Sequence, residues 1–213
     1  MNVVIVADGT FPTHPLPLSA LKEADIIIAC DGAAATLLRA GFMPQCVVGD
    51  LDTLDQSIQL QLKDRLEHES EQETNDLSKA FRSALRKMTD ADTLTLLGAT
   101  GKREDHTLGN LSLLADFAAK HEKIRLLTDH GMFVPVTGEQ TLRSQPGQAV
   151  SFFNPTGRTL HLTGTNLKYP VRNLALDHWW TATLNTALSD TIGLSTAPGN
   201  ATVIVYLDYS AGK

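Results

Sequence analysis

The sequence predicts an α/β half built on a parallel sheet over residues 1–130 and a small all-β sandwich over residues 131–213. Three observations predict it. Short apolar runs in the first half are continuous rather than alternating, as strands buried on both faces require. Segments with apolar residues at three- and four-residue spacing separate those runs, and strand–helix alternation of this kind builds a parallel sheet. From about Asp129 the chain changes to short segments punctuated by glycine and proline, several of them alternating.

Taken in order, Val3–Ala7, Ile26–Ala29, Cys46–Val48, Leu94–Leu97 and Ile124–Leu127 read as the strands of the parallel sheet. The intervening helices are expected over Gly32–Ala40, stopped by Gly41, and over Leu54–Leu66, Leu77–Met88 and Leu108–Lys120. In the third of these, Leu77, Ala80, Phe81, Ala84, Leu85 and Met88 form one stripe. The boundary between the halves falls near Thr128–Pro135. Beyond it, Thr159–Leu162, Thr181–Leu184 and Ala201–Leu207 alternate and read as antiparallel strands of a sandwich. Trp179 and Trp180 are expected as a core-and-surface pair on one such strand.

Composition narrows the function. A chain of 213 residues with 42% hydrophobic and 20% charged content has the balance of a soluble globular protein. Its net charge of −6, with Lys and Arg scattered, disfavours nucleic acid as a partner and tolerates a cationic small molecule. No apolar run approaches the roughly 18 residues of a membrane span. Cys30 and Cys46 lie in apolar runs, as thiols do in a reducing compartment, and the cytoplasm is the expected location.

Ligands of a parallel α/β sheet bind beyond the carboxyl ends of its strands. Acidic residues collect there. Asp8 follows the first run, Asp31 the second, Asp50 and Asp52 the third, and Asp76 opens a helix. An Asp in such a place can simply cap the next helix. The pair Asp50 and Asp52 points further, because two carboxylates leaving one strand end repel unless a cation neutralises them. Magnesium suits them: it takes few carboxylates and bridges to substrate phosphates. The loop Gly98–His106 lacks the P-loop spacing, yet it can bring Lys102 and Arg103 to a phosphate chain. Asp76 and Lys79 share a helix face and could form a plain surface ion pair.

In this order, these pieces resemble the thiamine pyrophosphokinase family. Asp31–Ala35 resembles its DGAxN segment, and Gly49–Thr53 its GDFDS. Glu71–Ala80 is similar to DQDxTDxxKA, and Gly98–Asn110 to GxxGGRxDHxLxN. Leu167–Pro170 resembles the family's LKYP element. This chain departs from the usual residues at Ala35, Glu71, Glu73, Asn75, Lys102 and Glu104, and it carries Leu184-Asn185 where the family often has Ser-Asn.

The resemblance implies a Rossmann-like domain that binds ATP and magnesium, a β-sandwich for thiamine binding and dimerisation, and a homodimer with active sites at the subunit interface. It implies transfer of a diphosphate from ATP to the thiamine hydroxyl. Asp50, Asp52 and Asp76 would hold Mg²⁺, with Arg103 completing the catalytic set. Asp31, Gly32, Gln72, Asn75, Lys79, Gly98, Lys102, Arg103, Asp105 and His106 would surround ATP, and Tyr169 and Asn185 would approach thiamine. Asp52 or Asp76 is expected to accept the hydroxyl proton. Two other readings use the same residues: diphosphate transfer to another heterocyclic alcohol such as a pterin, and a non-catalytic nucleotide- or thiamine-binding sensor.

Overall fold

The apolar runs of the first half fold as parallel strands. The computed structural model describes residues 1–211 of the chain. Strands β1 (Asn2–Val6), β2 (Ile26–Cys30), β3 (Cys46–Gly49), β4 (Leu66–His68), β5 (Thr93–Leu97) and β6 (Ile124–Leu127) lie in the order β6-β5-β1-β2-β3-β4, every recorded pair parallel. Val3, Ile5, Ile28, Val47, Leu94 and Leu96 are fully enclosed, which explains why their runs do not alternate. The strand order reverses direction beside β1, and the loops leaving β1 and β5 run together there. Gly9 donates its N–H to the Gly98 carbonyl at 2.6 Å, and Thr10 to that of Thr100 at 2.8 Å. Such a switch point is where open α/β sheets form their ligand crevice.

Helices α1 (Pro15–Lys22), α2 (Ala33–Arg39), α3 (Gln56–Gln61), α4 (Asp76–Lys87) and α5 (Glu104–Ala118) fill the connections. Of the expected stripe of α4, Leu77, Ala80, Phe81 and Ala84 are buried, while Leu85 is half-buried and Met88 stands at the C-cap beyond the helix. Two differences from the sequence reading have clear causes. Helix α1 is only eight residues long and begins Pro-Leu-Pro-Leu, so it carries a breaker signature although Pro is favoured in a first turn. The single helix expected over Leu54–Leu66 is instead α3, a 3₁₀ turn over Lys63–Arg65, and strand β4. Leu54, Ile58, Leu62 and Leu66 keep helical spacing along this stretch, and β4 is a short, charged edge strand with no apolar run.

The chain divides into two compact units, one of Met1–Leu113 with Lys120–Asp129, the other of Leu114–Ala119 with the residues from His130 onward. In the second unit, β7 (Gly131–Thr137), β14 (Thr202–Ala211), β9 (Gln148–Phe153) and β12 (Ala182–Thr186) pair antiparallel in that order. A second layer holds β8 (Glu139–Arg143), β13 (Thr191–Ala197), β10 (Leu160–Gly164) and β11 (Val171–Leu176), also antiparallel. Val136, Val150, Phe152, Leu160, Leu162, Ile192 and Val205 form the core shared by these layers, the expected sandwich. Trp179 and Trp180 do not sit on a strand. They occupy the turn before β12 and are 40% and 70% exposed, so neither is a core residue.

Candidate active site

Three carboxylates meet at the ends of β2 and β3. Asp31, Asp50 and Asp52 each offer an oxygen, and these oxygens lie within 4.8 Å of one another. Gly49 makes the approach of the two strand ends feasible, since a Cβ there would stand 2.9 Å from the Asp31 Cβ. Asp31 adopts a positive φ of 28°, a conformation a non-glycine residue holds only under constraint. It does not cap α2, whose N-cap is Gly32 with no side-chain capping bond. Its Oδ2 accepts a 3.4 Å hydrogen bond from the Thr53 N–H, whereas its Oδ1 is buried with no partner. Burial raises the Asp31 carboxyl above the usual range, and the charges of Asp76 and Asp50 add to the effect against opposing contacts with Thr53.

Asp50 and Asp52 are shifted in opposite directions. A 2.9 Å hydrogen bond from Gln72 Nε2, and then the Asp52 N–H, hold Asp50 below the usual value. Asp52 is raised by its hydrogen bond to the Asp50 carboxylate and by that group's charge. Two adjacent acids that resist joint ionisation fit a site completed by a cation. Hard oxygen donors and an unpartnered buried carboxylate oxygen match magnesium. The structure thus brings Asp31 into the trio where the sequence reading names Asp76. Asp76 lines the same cavity, with its Oδ1 engaged by Lys79 Nζ at 3.2 Å.

That cavity has a volume of about 400 Å³ and opens beyond the strand ends. Cations line it among the acids. Lys79 is not on the surface: its side chain is only 2% exposed, because α4 packs that face against the sheet. Lys102 Nζ reaches Asp8 Oδ1 at 3.0 Å across the two loops of the switch point. Arg103 is exposed and makes a two-pronged contact with Asp105, Nε to Oδ1 at 3.1 Å and Nη2 to Oδ2 at 2.5 Å. That pairing holds the Asp105 carboxyl below its usual range. The loop is threaded through Gly98, whose φ of 63° and close approach to the Ala7 carbonyl, 2.4 Å from a would-be Cβ, exclude any side chain.

Asn75 caps α4, its Oδ1 accepting from the Ser78 N–H at 3.0 Å, while its Nδ2 donates to Asn110 Oδ1 at 3.0 Å. Asn110 in turn donates to the Ala99 carbonyl at 2.9 Å, linking α4, α5 and the β5 loop. Asp31, Gly32, Asp50, Gln72, Asn75, Asp76, Lys79, Lys102, Arg103 and His106 all line the cavity. Asp52 stands exposed beside Asp50, Asp105 serves Arg103, and Gly98 shapes the loop beneath. Thr53, Thr100 and Asn110 also line the cavity, although no charge or spacing in the sequence marks them. Asn110, which lies on the face of α5 that meets Asn75, was legible only as the end of a motif.

Tyr169 and Asn185 belong to the second unit. Tyr169 is 56% exposed, with Lys168 Nζ 5.5 Å from its ring centre. Asn185 is buried and clasps the Tyr169 backbone, accepting from its N–H at 3.1 Å and donating to its carbonyl at 2.8 Å. Within this unit Asn185 therefore fixes a loop, and Tyr169 is the group presented to solvent. Leu184, beside it, is 80% exposed at a φ of 63° where β12 bulges.

Comparisons with known proteins identify the family of this fold. The family model for the thiamin pyrophosphokinase catalytic domain matches residues 18–127, and that for the substrate-binding domain of the same enzyme matches residues 131–206. A thiamine pyrophosphokinase of Bacillus subtilis is 31% identical over 180 residues, covering 81% of this chain and 82% of its relative. Among solved structures, thiamine pyrophosphokinase from Bacillus subtilis superposes with a TM-score of 0.80 at 25% identity, covering 97% of this chain and 98% of the other. A family protein from Enterococcus faecalis gives 0.81 at 22% identity, covering 99% and 100%, and so shares the fold. The chain belongs to the thiamin pyrophosphokinase family.

Proposed function

We propose that this chain is a thiamine diphosphokinase, converting ATP and thiamine to AMP and thiamine diphosphate. The observation that carries the reading is the carboxylate trio, with its unpartnered buried oxygen, at a cavity that Lys79, Lys102 and Arg103 also line. Acids alone would repel a polyphosphate, and cations alone would bind it without a metal. Both together suit a magnesium–triphosphate complex.

Asp31, Asp50 and Asp52 would hold Mg²⁺, with Asp76 at the same rim. When bound, the ion supplies charge neutralisation for the phosphate oxygens. The rest falls to the side chains. Lys79 and Lys102 fix the phosphate chain so that its β-phosphorus faces the acceptor, a positioning gain typical of phosphoryl transfer. The thiamine hydroxyl oxygen bonds to the β-phosphorus as the bond to the α–β bridging oxygen breaks, and that oxygen leaves with AMP. Arg103 stabilises charge on the departing and transferring groups. The hydroxyl proton passes to Asp52 or Asp76.

Transfer to another heterocyclic alcohol is not favoured, because the substrate-binding model that matches the second unit is that of thiamin pyrophosphokinase. A sensor without turnover is not favoured either, since nucleotide binding alone does not require the intact acids. The protein acts in the cytoplasm as a homodimer, in which the exposed Tyr169 of one chain approaches thiamine at its partner's site. Incubation with ATP, magnesium and thiamine tests the reaction. Equimolar AMP and thiamine diphosphate are expected. Stoichiometric ADP with thiamine monophosphate, or an unreacted mixture, would overturn it.

A further inference from the structure

Glu67, Glu69 and Glu71 alternate along the chain from β4, and in extended backbone such residues share a side. Arg82 and Arg86 lie four apart on α4, with Lys87 beside them, also on a shared face. The two rows meet. Lys87 and Arg86 bind Glu67, Arg86 and Arg82 bind Glu69, and Arg82 alone reaches Glu71. Arg82 contacts Glu69 Oε2 at 2.9 Å, Glu71 Oε1 at 2.7 Å and Thr74 Oγ1 at 3.2 Å.

Glu71 is the hub of the next turn. Its Oε2 accepts from the Glu73 N–H at 2.8 Å and the Thr74 N–H at 3.0 Å, and its Oε1 accepts from the Thr74 hydroxyl. Gln72 sits inside that turn, and its Nε2 donates to Asp50 Oδ2 at 2.9 Å. The path runs from helix α4 through Arg82 and Glu71 to Gln72, and so to a carboxylate of the acidic trio. A half-exposed arginine contributes little to folding stability through such pairs. Three contacts on one guanidinium instead fix the geometry of a loop.

We propose that Arg82 is a positioning residue of this site, acting through Glu71 to hold the Gln72 amide on Asp50 and thereby to set the metal affinity of the acidic trio. The proposal rests on the metal-dependent reading of the site given above. Groups that orient a ligating carboxylate alter metal affinity by about tenfold or more when removed, and a residue acting one link further back should have a smaller effect.

The experiment titrates Mn²⁺ alone into the purified protein, followed by electron paramagnetic resonance, for the wild type, Arg82→Ala, Arg82→Lys, Gln72→Ala and the double variant Arg82→Ala/Gln72→Ala. Thermal melts and the Mg²⁺ concentration for half-maximal transfer are measured in parallel. Arg82→Ala should weaken Mn²⁺ binding about three- to tenfold and raise the Mg²⁺ requirement by a similar factor, while the melting temperature moves little. Arg82→Lys, which keeps the charge but not the fork, should recover part of the loss. In the Gln72→Ala background, Arg82→Ala should add nothing, because the two act along one path. Unchanged Mn²⁺ affinity in Arg82→Ala, or losses that multiply in the double variant, would overturn the proposal. Should Arg82→Ala fail to fold, Arg82→Lys carries the same comparison. A wild type that binds Mn²⁺ yet transfers nothing would remove the functional reading while leaving the Mn²⁺ comparison decisive. A wild type that binds no Mn²⁺ would remove both.

Discussion

Asp31 combines three unfavourable features: a positive φ, near-complete burial, and a carboxylate oxygen without a hydrogen-bond partner. Each costs free energy in the unliganded chain. Strain of this kind persists where a ligand recovers it. At neutral pH an Asp31→Asn variant should therefore lose transfer activity yet melt about 2–4 °C higher than wild type without metal, the shift that about 1 kcal/mol produces in a chain of this size. Calorimetry in chelator checks this. A lower melting temperature would mean that the carboxylate is structural. Tyr169 and Asn185 make a contrasting pair, because the exposed ring touches little while the buried amide satisfies two backbone groups. Asn185→Ala should destabilise by about 1–3 kcal/mol, the penalty for stranding such groups. Tyr169→Ala should leave stability nearly unchanged and raise KM for thiamine. Denaturant melts beside steady-state kinetics separate the two.

At the scale of elements, the ladder between β4 and α4 has a pH signature. Burial pushes the Glu67 carboxyl up, but hydrogen bonds from Lys87, Ser83 and Cys46 outweigh it and hold the group at about 2. Thr74 and then Arg82 bring Glu71 to about 2 as well. For the more buried Glu67 the depressed folded pKa gives stability that is present above the unfolded value of 4.5 and is lost as pH falls through about 2, whereas the exposed Glu71 pair adds little. Melting temperature should therefore drop over that window, and Glu67→Gln should flatten part of the drop. An unchanged slope would remove Glu67 from the account. This ladder is also what sequence reasoning missed. Val3–Ala7 and Leu94–Leu97 announce buried strands by their apolar runs, and the acids following them announce the site. Strand β4 has only Leu66–His68 and is specified by pairing with β3 and by the Glu67 ion pairs with α4, which no local pattern records. The membership of Asp31 in the trio was hidden for the same reason. It depends on Gly49 letting two strand ends approach, not on any spacing along the chain.

At the scale of the whole molecule, phosphate chemistry is proposed to belong to the acids and cations of the first unit and acceptor recognition to the second, in the partner chain. Mixing tests the assignment. Homodimers of Asp52→Asn and of Tyr169→Ala should each be impaired, whereas mixed dimers should regain activity at the one site that carries neither change. Verified mixed dimers without recovery would mean that each chain works alone. Attack on the β-phosphorus can be followed with ATP labelled at that position. With thiamine and magnesium present, the label should leave the nucleotide completely and appear in thiamine diphosphate, with unlabelled AMP as the other product. Label retained in ADP, with unlabelled thiamine monophosphate formed beside it, would contradict the account.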